Sequence, residues 1–146
     1  EKDEKGFIIC PTGDYTSIKN FPLYCDFGNG CRFCNSCSFG EWCDFGKRCS
    51  FGEDCSFGEW CSFGNGCKCE DNHEFEKLFQ IGYIGSRDDT TQFWLLTNKS
   101  ILVRCGCFCG NIDKFIESVK KKHGDTSYAK EYLAAMELAK LHFQKD

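Results

Sequence analysis

Between residues 21 and 72 the apolar positions recur every six residues. Phenylalanine stands at 21, 27, 33, 39, 45, 51, 57 and 63, and cysteine follows each four places later, at 25, 31, 37, 43, 49, 55, 61 and 67. Glycine comes directly after the phenylalanine at 28, 40, 46, 52, 58 and 64, with Pro22 and Cys34 in the two remaining slots. A fixed short period of this kind predicts stacked repeats, in which each unit buries its apolar residues against its neighbours.

Outside the repeat the pattern changes. Residues 1 to 6 are charged and predicted to fray. Phe7, Ile8, Ile9 and Cys10 form a short apolar run stopped by Pro11 and the Thr-Gly-Asp turn, which predicts a strand or a cap on the first coil. Tyr15 then holds a phenylalanine slot and Lys19 a cysteine slot, so the regular repeat is expected from about Phe21. After Cys69, residues 76 to 84, 91 to 97 and 100 to 105 read as strands, with turns at 86 to 89 and 98 to 99. Asn111 or Asp113 can open a helix that runs to about Lys122 and stops at Gly124. A last helix, Ser127 to Phe143, places Tyr128, Tyr132, Met136, Ala139 and Phe143 on one stripe. Leu138 and Leu141 fall off that stripe, which predicts cover on more than one side. The division expected is an N-terminal cap segment (1–20), the repeat (21–72) and an α+β domain (73–146) with three antiparallel strands and two helices.

Aligned on its phenylalanine, the phrase Phe-Gly-x-x-Cys-x resembles the hexapeptide of left-handed parallel β-helix proteins. It differs in using phenylalanine where that family has an aliphatic residue, and its period of six separates it from pentapeptide solenoids. The resemblance implies three hexapeptides per coil of about 18 residues, with coils about 4.8 Å apart. The fold class expected is mainly β: a short three-sided parallel β-helix of about three coils, capped by a small α+β unit. Residues 18 apart should then lie above one another. In the variable slots this aligns Tyr24, Trp42 and Trp60, beside a column of Leu23, Glu41 and Glu59. Such an outward aromatic ladder flanked by acids fits a partner surface, since tryptophan and tyrosine carry binding hot spots. Cover by the N-terminal segment or the C-terminal unit, and self-association into an oligomer, remain alternatives. A second side carries Asn29-Gly30, Lys47-Arg48 and Asn65-Gly66, and a third Asn35-Ser36, Glu53-Asp54 and Asp71-Asn72.

Composition narrows the function. The net charge is -4 with mixed signs along the chain, so the basic footprint of a nucleic-acid binder is missing. Residues 21 to 70 hold seven acids and four bases, which is thin for a mimic of nucleic-acid charge. No apolar run reaches the length of a membrane span. The first residue is Glu1, so the lack of a signal peptide carries little weight. Fourteen cysteines would signal a disulfide scaffold in a secreted chain, but eight at a strict interval of six read better as small buried hydrophobes in a reduced, cytoplasmic protein. Cys105-Gly-Cys107-Phe-Cys109 is a candidate zinc site if the third strand continues and turns the three thiols to one face. Packing of small residues, and redox or disulfide chemistry, are the other readings. No cofactor is otherwise implied.

Left-handed β-helices are frequent among acyltransferases that use a CoA or acyl-carrier donor and a histidine base. Here the repeat contains no histidine, and His73, His123 and His142 fall at element ends, so the enzyme reading stands last. The stretches from Phe93 to Ser100 and Val103 to Phe108, then Lys122-His-Gly-Asp and Tyr128-Ala-Lys-Glu-Tyr-Leu, resemble the tail of small repeat proteins from phages and gut bacteria. That resemblance implies a catalytically empty, phage-encoded inhibitor of a host defence system, of the anti-CRISPR kind, acting in the host cytoplasm. The expectation is therefore a non-enzymatic protein-binding module that docks an intracellular partner through the aromatic face. An oligomer that sequesters a nucleotide is the alternative.

Overall fold

The computed structural model describes residues 2, 6–86 and 89–144. The chain separates into two compact units, Glu1–Glu76 and Lys77–Asp146. Most of its regular structure is strand, and two helices follow at the C-terminal end, a β-rich α+β composition.

In the first unit the strands are two or three residues long: β1 (Ile8–Cys10), β2 (Asn20–Phe21), β3 (Cys25–Phe27), β4 (Ser38–Phe39), β5 (Asp44–Phe45), β6 (Ser56–Phe57), β7 (Ser62–Phe63) and β8 (Lys68–Cys69). They are short because the backbone turns a corner every six residues. Tyr24, Gly30, Ser36, Trp42, Arg48, Asp54, Trp60, Gly66 and Asn72 all have positive φ, a conformation that costs a residue with a Cβ about 1–2 kcal/mol. Hydrogen bonds between tiers hold these corners. The N–H of Tyr24 donates to Glu41 O at 3.0 Å, Ser36 to Glu53 O at 2.8 Å, Trp42 to Glu59 O at 3.0 Å and Arg48 to Asn65 O at 3.0 Å.

The strands pair in parallel in the orders β1-β3-β5-β7 and β2-β4-β6, and single bridges join Asp14, Arg32, Ser50 and Lys68 into a third ladder. The register is eighteen residues throughout the repeat, as in Asp26↔Asp44, Phe39↔Phe57 and Phe45↔Phe63. At the N-terminus it is seventeen, with Ile8 opposite Cys25 and Cys10 opposite Phe27, and it returns to eighteen at Asp14↔Arg32. The segment read as a cap before Phe21 is thus paired into the ladders as a tier of its own. Tyr15 makes this possible by filling a phenylalanine position and stacking on Phe33 at 5.7 Å.

Inside the tiers, phenylalanines of one column stack face to face: Phe21–Phe39 at 4.9 Å, Phe27–Phe45 at 5.1 Å and Phe33–Phe51 at 5.1 Å. Rings of adjacent columns meet edge to face, as Phe39 and Phe45 do at 4.9 Å. The edge-to-face geometry suits the ring quadrupole and adds about 0.5–1.5 kcal/mol per pair beyond burial. The cysteines are small enough to sit between the rings, and their thiols cap carbonyls of the preceding tier. Cys43 donates to Pro22 O at 3.5 Å, Cys49 to Gly28 O at 3.4 Å, Cys55 to Cys34 O at 3.3 Å and Cys67 to Gly46 O at 3.3 Å. Glycine follows the ring because the tiers approach closely there. A Cβ at Gly40 would lie 2.5 Å from Leu23 N, and one at Gly58 2.6 Å from Glu41 N.

A single 3-10 turn, Glu70–Asn72, reverses the chain into β9 (His73–Ile84), whose first residues pair antiparallel with β8. The second unit adds β10 (Asp89–Leu96), β11 (Ile101–Cys105) and β12 (Phe108–Asn111), in the order β12-β11-β10-β9. Of the turn expected at 86–89, Arg87 and Asp88 lie outside the described residues. Helices α1 (Ile112–His123) and α2 (Ser127–Phe143) follow. Asn111 Oδ1 caps α1 by accepting from Lys114 N–H at 2.9 Å, and Gly124 ends it with φ 57°. Phe93 and Val103 from the sheet pack with Phe115, Val119, Ala129, Tyr132, Ala135, Met136 and Ala139 from the helices. Three expectations are corrected. The sheet has a fourth strand, β12, because the chain turns at Gly106-Cys107. The buried stripe of α2 includes Ala129 and Ala135, while Tyr128 is exposed. Leu138 and Leu141 are exposed as well, so α2 is covered along one side only.

Candidate functional site

The corner slots decide what the repeat presents to solvent. Tyr24, Trp42 and Trp60 each occupy the left-handed position of a corner, eighteen residues apart, and their rings stack outside the tiers. The Tyr24 and Trp42 centroids are 6.5 Å apart at 17°, and those of Trp42 and Trp60 5.3 Å apart at 13°. Phe7 closes the Tyr24 end, edge to face at 5.3 Å. Exposure rises along the column from 39% at Tyr24 and 41% at Trp42 to 67% at Trp60. Leu23, Glu41 and Glu59, one residue earlier in each corner, are exposed beside the rings. The N-terminal segment therefore covers the Tyr24 end of this ladder, Trp42 is stacked between its two neighbours, and Trp60 is the most exposed ring.

The residue type in these corners is informative because the backbone does not ask for it. The same slot elsewhere holds Gly30, Ser36, Arg48, Asp54, Gly66 and Asn72, among which glycine, asparagine and aspartate tolerate positive φ best. A bulky aromatic there is an outlier. Each stacked pair returns about 0.5–1.5 kcal/mol, comparable with the conformational cost of one corner. Two such pairs do not repay three left-handed corners, so stacking alone does not select the ladder.

The other two corner columns are polar. Asn29 Oδ1 accepts from Lys47 N–H at 2.9 Å, and Asn35 Oδ1 from Glu53 N–H at 2.8 Å, so these asparagines tie tier to tier. Lys47 and Arg48 form one basic rung between neutral ones, with Gly30 N–H donating to Lys47 O and Arg48 N–H to Asn65 O.

The three thiols considered for zinc are distributed differently from the expectation. Gly106 (φ 59°) and Cys107 make a two-residue turn, with Cys105 opposite Phe108 and Arg104 opposite Cys109. Opposed residues share a face, so Cys105 and Cys109 point to opposite faces of the hairpin and Cys107 is exposed at its tip. Among the described residues no group of three or more His, Cys, Asp or Glu is placed to hold a metal ion. Cys105 and Cys107 line a cavity of about 190 Å³ with Ser86, Phe108, His123 and Tyr132, where Ser86 Oγ lies 3.4 Å from His123 Nε2. The other histidines sit elsewhere: His73 Nδ1 is 2.7 Å from Glu70 O, and His142 stacks on Phe79 at 4.6 Å.

One constellation escaped the sequence reading. Cys34 and Cys37 bring their sulfurs to 2.9 Å, in a Cys-x-x-Cys spacing that the strict cysteine period conceals. Its signal was the slot itself, because Cys34 stands where the repeat has glycine. The two thiols also differ electrostatically from each other. Burial pushes the Cys37 thiol up to about 12, whereas the hydrogen bond from Cys37, helped by the Lys19 ammonium, holds Cys34 below the ordinary thiol value.

No family model matches the chain, and no curated protein or solved structure matches it.

Proposed function

We propose that residues 21 to 72 form a short three-sided parallel β-helix that serves as a non-enzymatic protein-binding module, docking an intracellular partner through Tyr24, Trp42 and Trp60. What carries this reading is the exposed stack of two indoles and a phenol, built at corners where glycine would be less strained. Three parallel ladders with an eighteen-residue register support the β-helix. Large, rigid aromatic surfaces of this kind supply contact area at low conformational cost. Glu41 and Glu59 beside the rings favour a partner patch that carries Lys or Arg around an apolar centre. The resemblance of the C-terminal stretch to phage and gut-bacterial repeat proteins makes an inhibitor of a host defence system, of the anti-CRISPR kind, the leading biological role.

The open Trp60 face favours one second reading, in which the indoles stack on the base of a nucleotide, since base–aromatic stacking is worth about 1–3 kcal/mol. Native mass spectrometry of the purified protein separates the two: a retained nucleotide supports sequestration. Affinity capture from host cells with wild type and with the Trp42→Gly/Trp60→Gly double variant tests the docking face. A host protein retained by wild type and lost from the variant supports the module. Equal retention by both removes the aromatic face from the account.

A further inference from the structure

Cys34 is the anomaly of the repeat. At the equivalent glycines a Cβ would strike the backbone of the tier below at 2.5–2.9 Å, but the chain below Cys34 is a turn at Thr16–Ser17 that leaves the ladder. A side chain fits there, and it is a thiol facing a second thiol. Cys34 is partly exposed while Cys37 is buried at 1%. Elsewhere the thiols that share a carbonyl belong to successive tiers, as Cys25 and Cys43 do on Pro22 O and Cys31 and Cys49 on Gly28 O. Here both converge on Ile18 O, at 3.5 Å from Cys34 and 3.4 Å from Cys37, and their sulfurs stand 2.9 Å apart. The intervening corner is pinned from the next tier: Ser36 (φ 59°) donates to Glu53 O at 2.8 Å, and Asn35 accepts from Glu53 N–H. Lys19 Nζ donates to Asn35 O at 2.8 Å, which sets an ammonium beside Cys34.

We propose that Cys34 and Cys37 are a redox-active dithiol that exchanges with low-molecular-weight disulfides, Cys34 attacking and Cys37 resolving. An accessible sulfur next to a cation, paired with a shielded one three residues beyond it, is the arrangement of reactive Cys-x-x-Cys sites. The Cys34 thiolate attacks one sulfur of the disulfide, forms a mixed disulfide and expels a thiolate. Cys37 gives its proton to that thiolate, attacks Cys34 Sγ and expels the second thiolate. The pair is oxidised by two electrons, and one external disulfide becomes a thiol and a thiolate, the latter taking up the proton that Cys34 released on ionising. The Lys19 charge favours the attacking thiolate, and the held corner keeps the resolving sulfur within reach.

Oxidised glutathione is the probe. The folded full-length protein is equilibrated in graded glutathione buffers, quenched with acid, alkylated and mapped by non-reducing peptide mass spectrometry. The expected result is the joint loss of two thiols in one step, with Cys34 linked to Cys37 while Cys25, Cys31, Cys43 and Cys49 stay reduced. Cys37→Ser should trap a stable glutathione adduct on Cys34. Cys34→Gly restores the residue of the repeat and should leave Cys37 unmodified. A wild-type protein that exchanges at Cys107 and Cys109 while Cys34 and Cys37 remain reduced would overturn the proposal, as would glutathione on Cys37 in the Cys34→Gly variant. The wild-type map decides the question even if either variant fails to fold.

Discussion

The two units bury phenylalanine in opposite ways. In the first, Phe45 lies between Phe27 and Phe63 at 5.1 Å on either side, in an environment reproduced at every sixth residue. In the second, Phe115 meets Phe93, Phe108 and Tyr132 at interplanar angles of 89°, 49° and 84°, a setting that no period repeats. The difference concerns how stability is distributed. Tiers interact with their immediate neighbours and add up along the stack, whereas the mixed core of the second unit depends on each of its members at once. It also concerns where function can reside. A repeat specifies its inner slots and leaves its corners free, so a corner residue that the fold does not prefer is evidence of another demand.

The sharpest way to break this comparison is to remove one ring from each unit. Phe45→Ala and Phe115→Ala should each cost about 3–5 kcal/mol, but hydrogen exchange should show different footprints. The Phe45 variant should lose protection in the adjacent tiers first, and the Phe115 variant across α1, α2 and the sheet together. Uniform loss over residues 8–69 in the Phe45 variant would refute neighbour-limited coupling. Next in size, Gly58→Ala forces a Cβ to 2.6 Å from Glu41 N and should destabilise the first unit by about 1–3 kcal/mol, read from urea unfolding. The analogous change at Gly124, where a Cβ meets nothing within 4 Å but φ is positive, should cost only the about 1–2 kcal/mol of the backbone conformation. Smaller still, Asn111→Ala removes the cap of α1 and should cost about 1 kcal/mol, visible as a lower melting midpoint. Leu141→Ser, on the exposed side of α2, should shift stability by less than about 0.5 kcal/mol. A larger loss there would mean that this side of the helix is covered.

How much was legible beforehand follows the same division. The eighteen-residue columns, including Tyr24 over Trp42 over Trp60, could be read because one period governs 52 residues, from 21 to 72. The two helices were legible from Asn111, Gly124 and their apolar spacing. The left-handed corners were hidden, because Tyr, Trp, Ser and Arg are not residues that announce positive φ. Strand β12 was missed because Gly106-Cys107 reads equally as strand or turn, and only the pairing of Cys105 with Phe108 decides. The Cys34–Cys37 pair was hidden by regularity itself: among eight periodic cysteines, a ninth looked like one more. The N-terminal tier was half visible in Tyr15 and lost in the seventeen-residue offset.

The central claim is that the aromatic ladder serves a surface and not the fold. The measurement that reaches it most directly is urea unfolding of the Trp42→Gly/Trp60→Gly variant, made alongside its retention of captured host protein. Glycine relieves two positive-φ corners while two stacked contacts are lost, so the account predicts a stability within about 1 kcal/mol of wild type together with loss of the bound partner. A variant that loses several kcal/mol, or that keeps the partner, would contradict it.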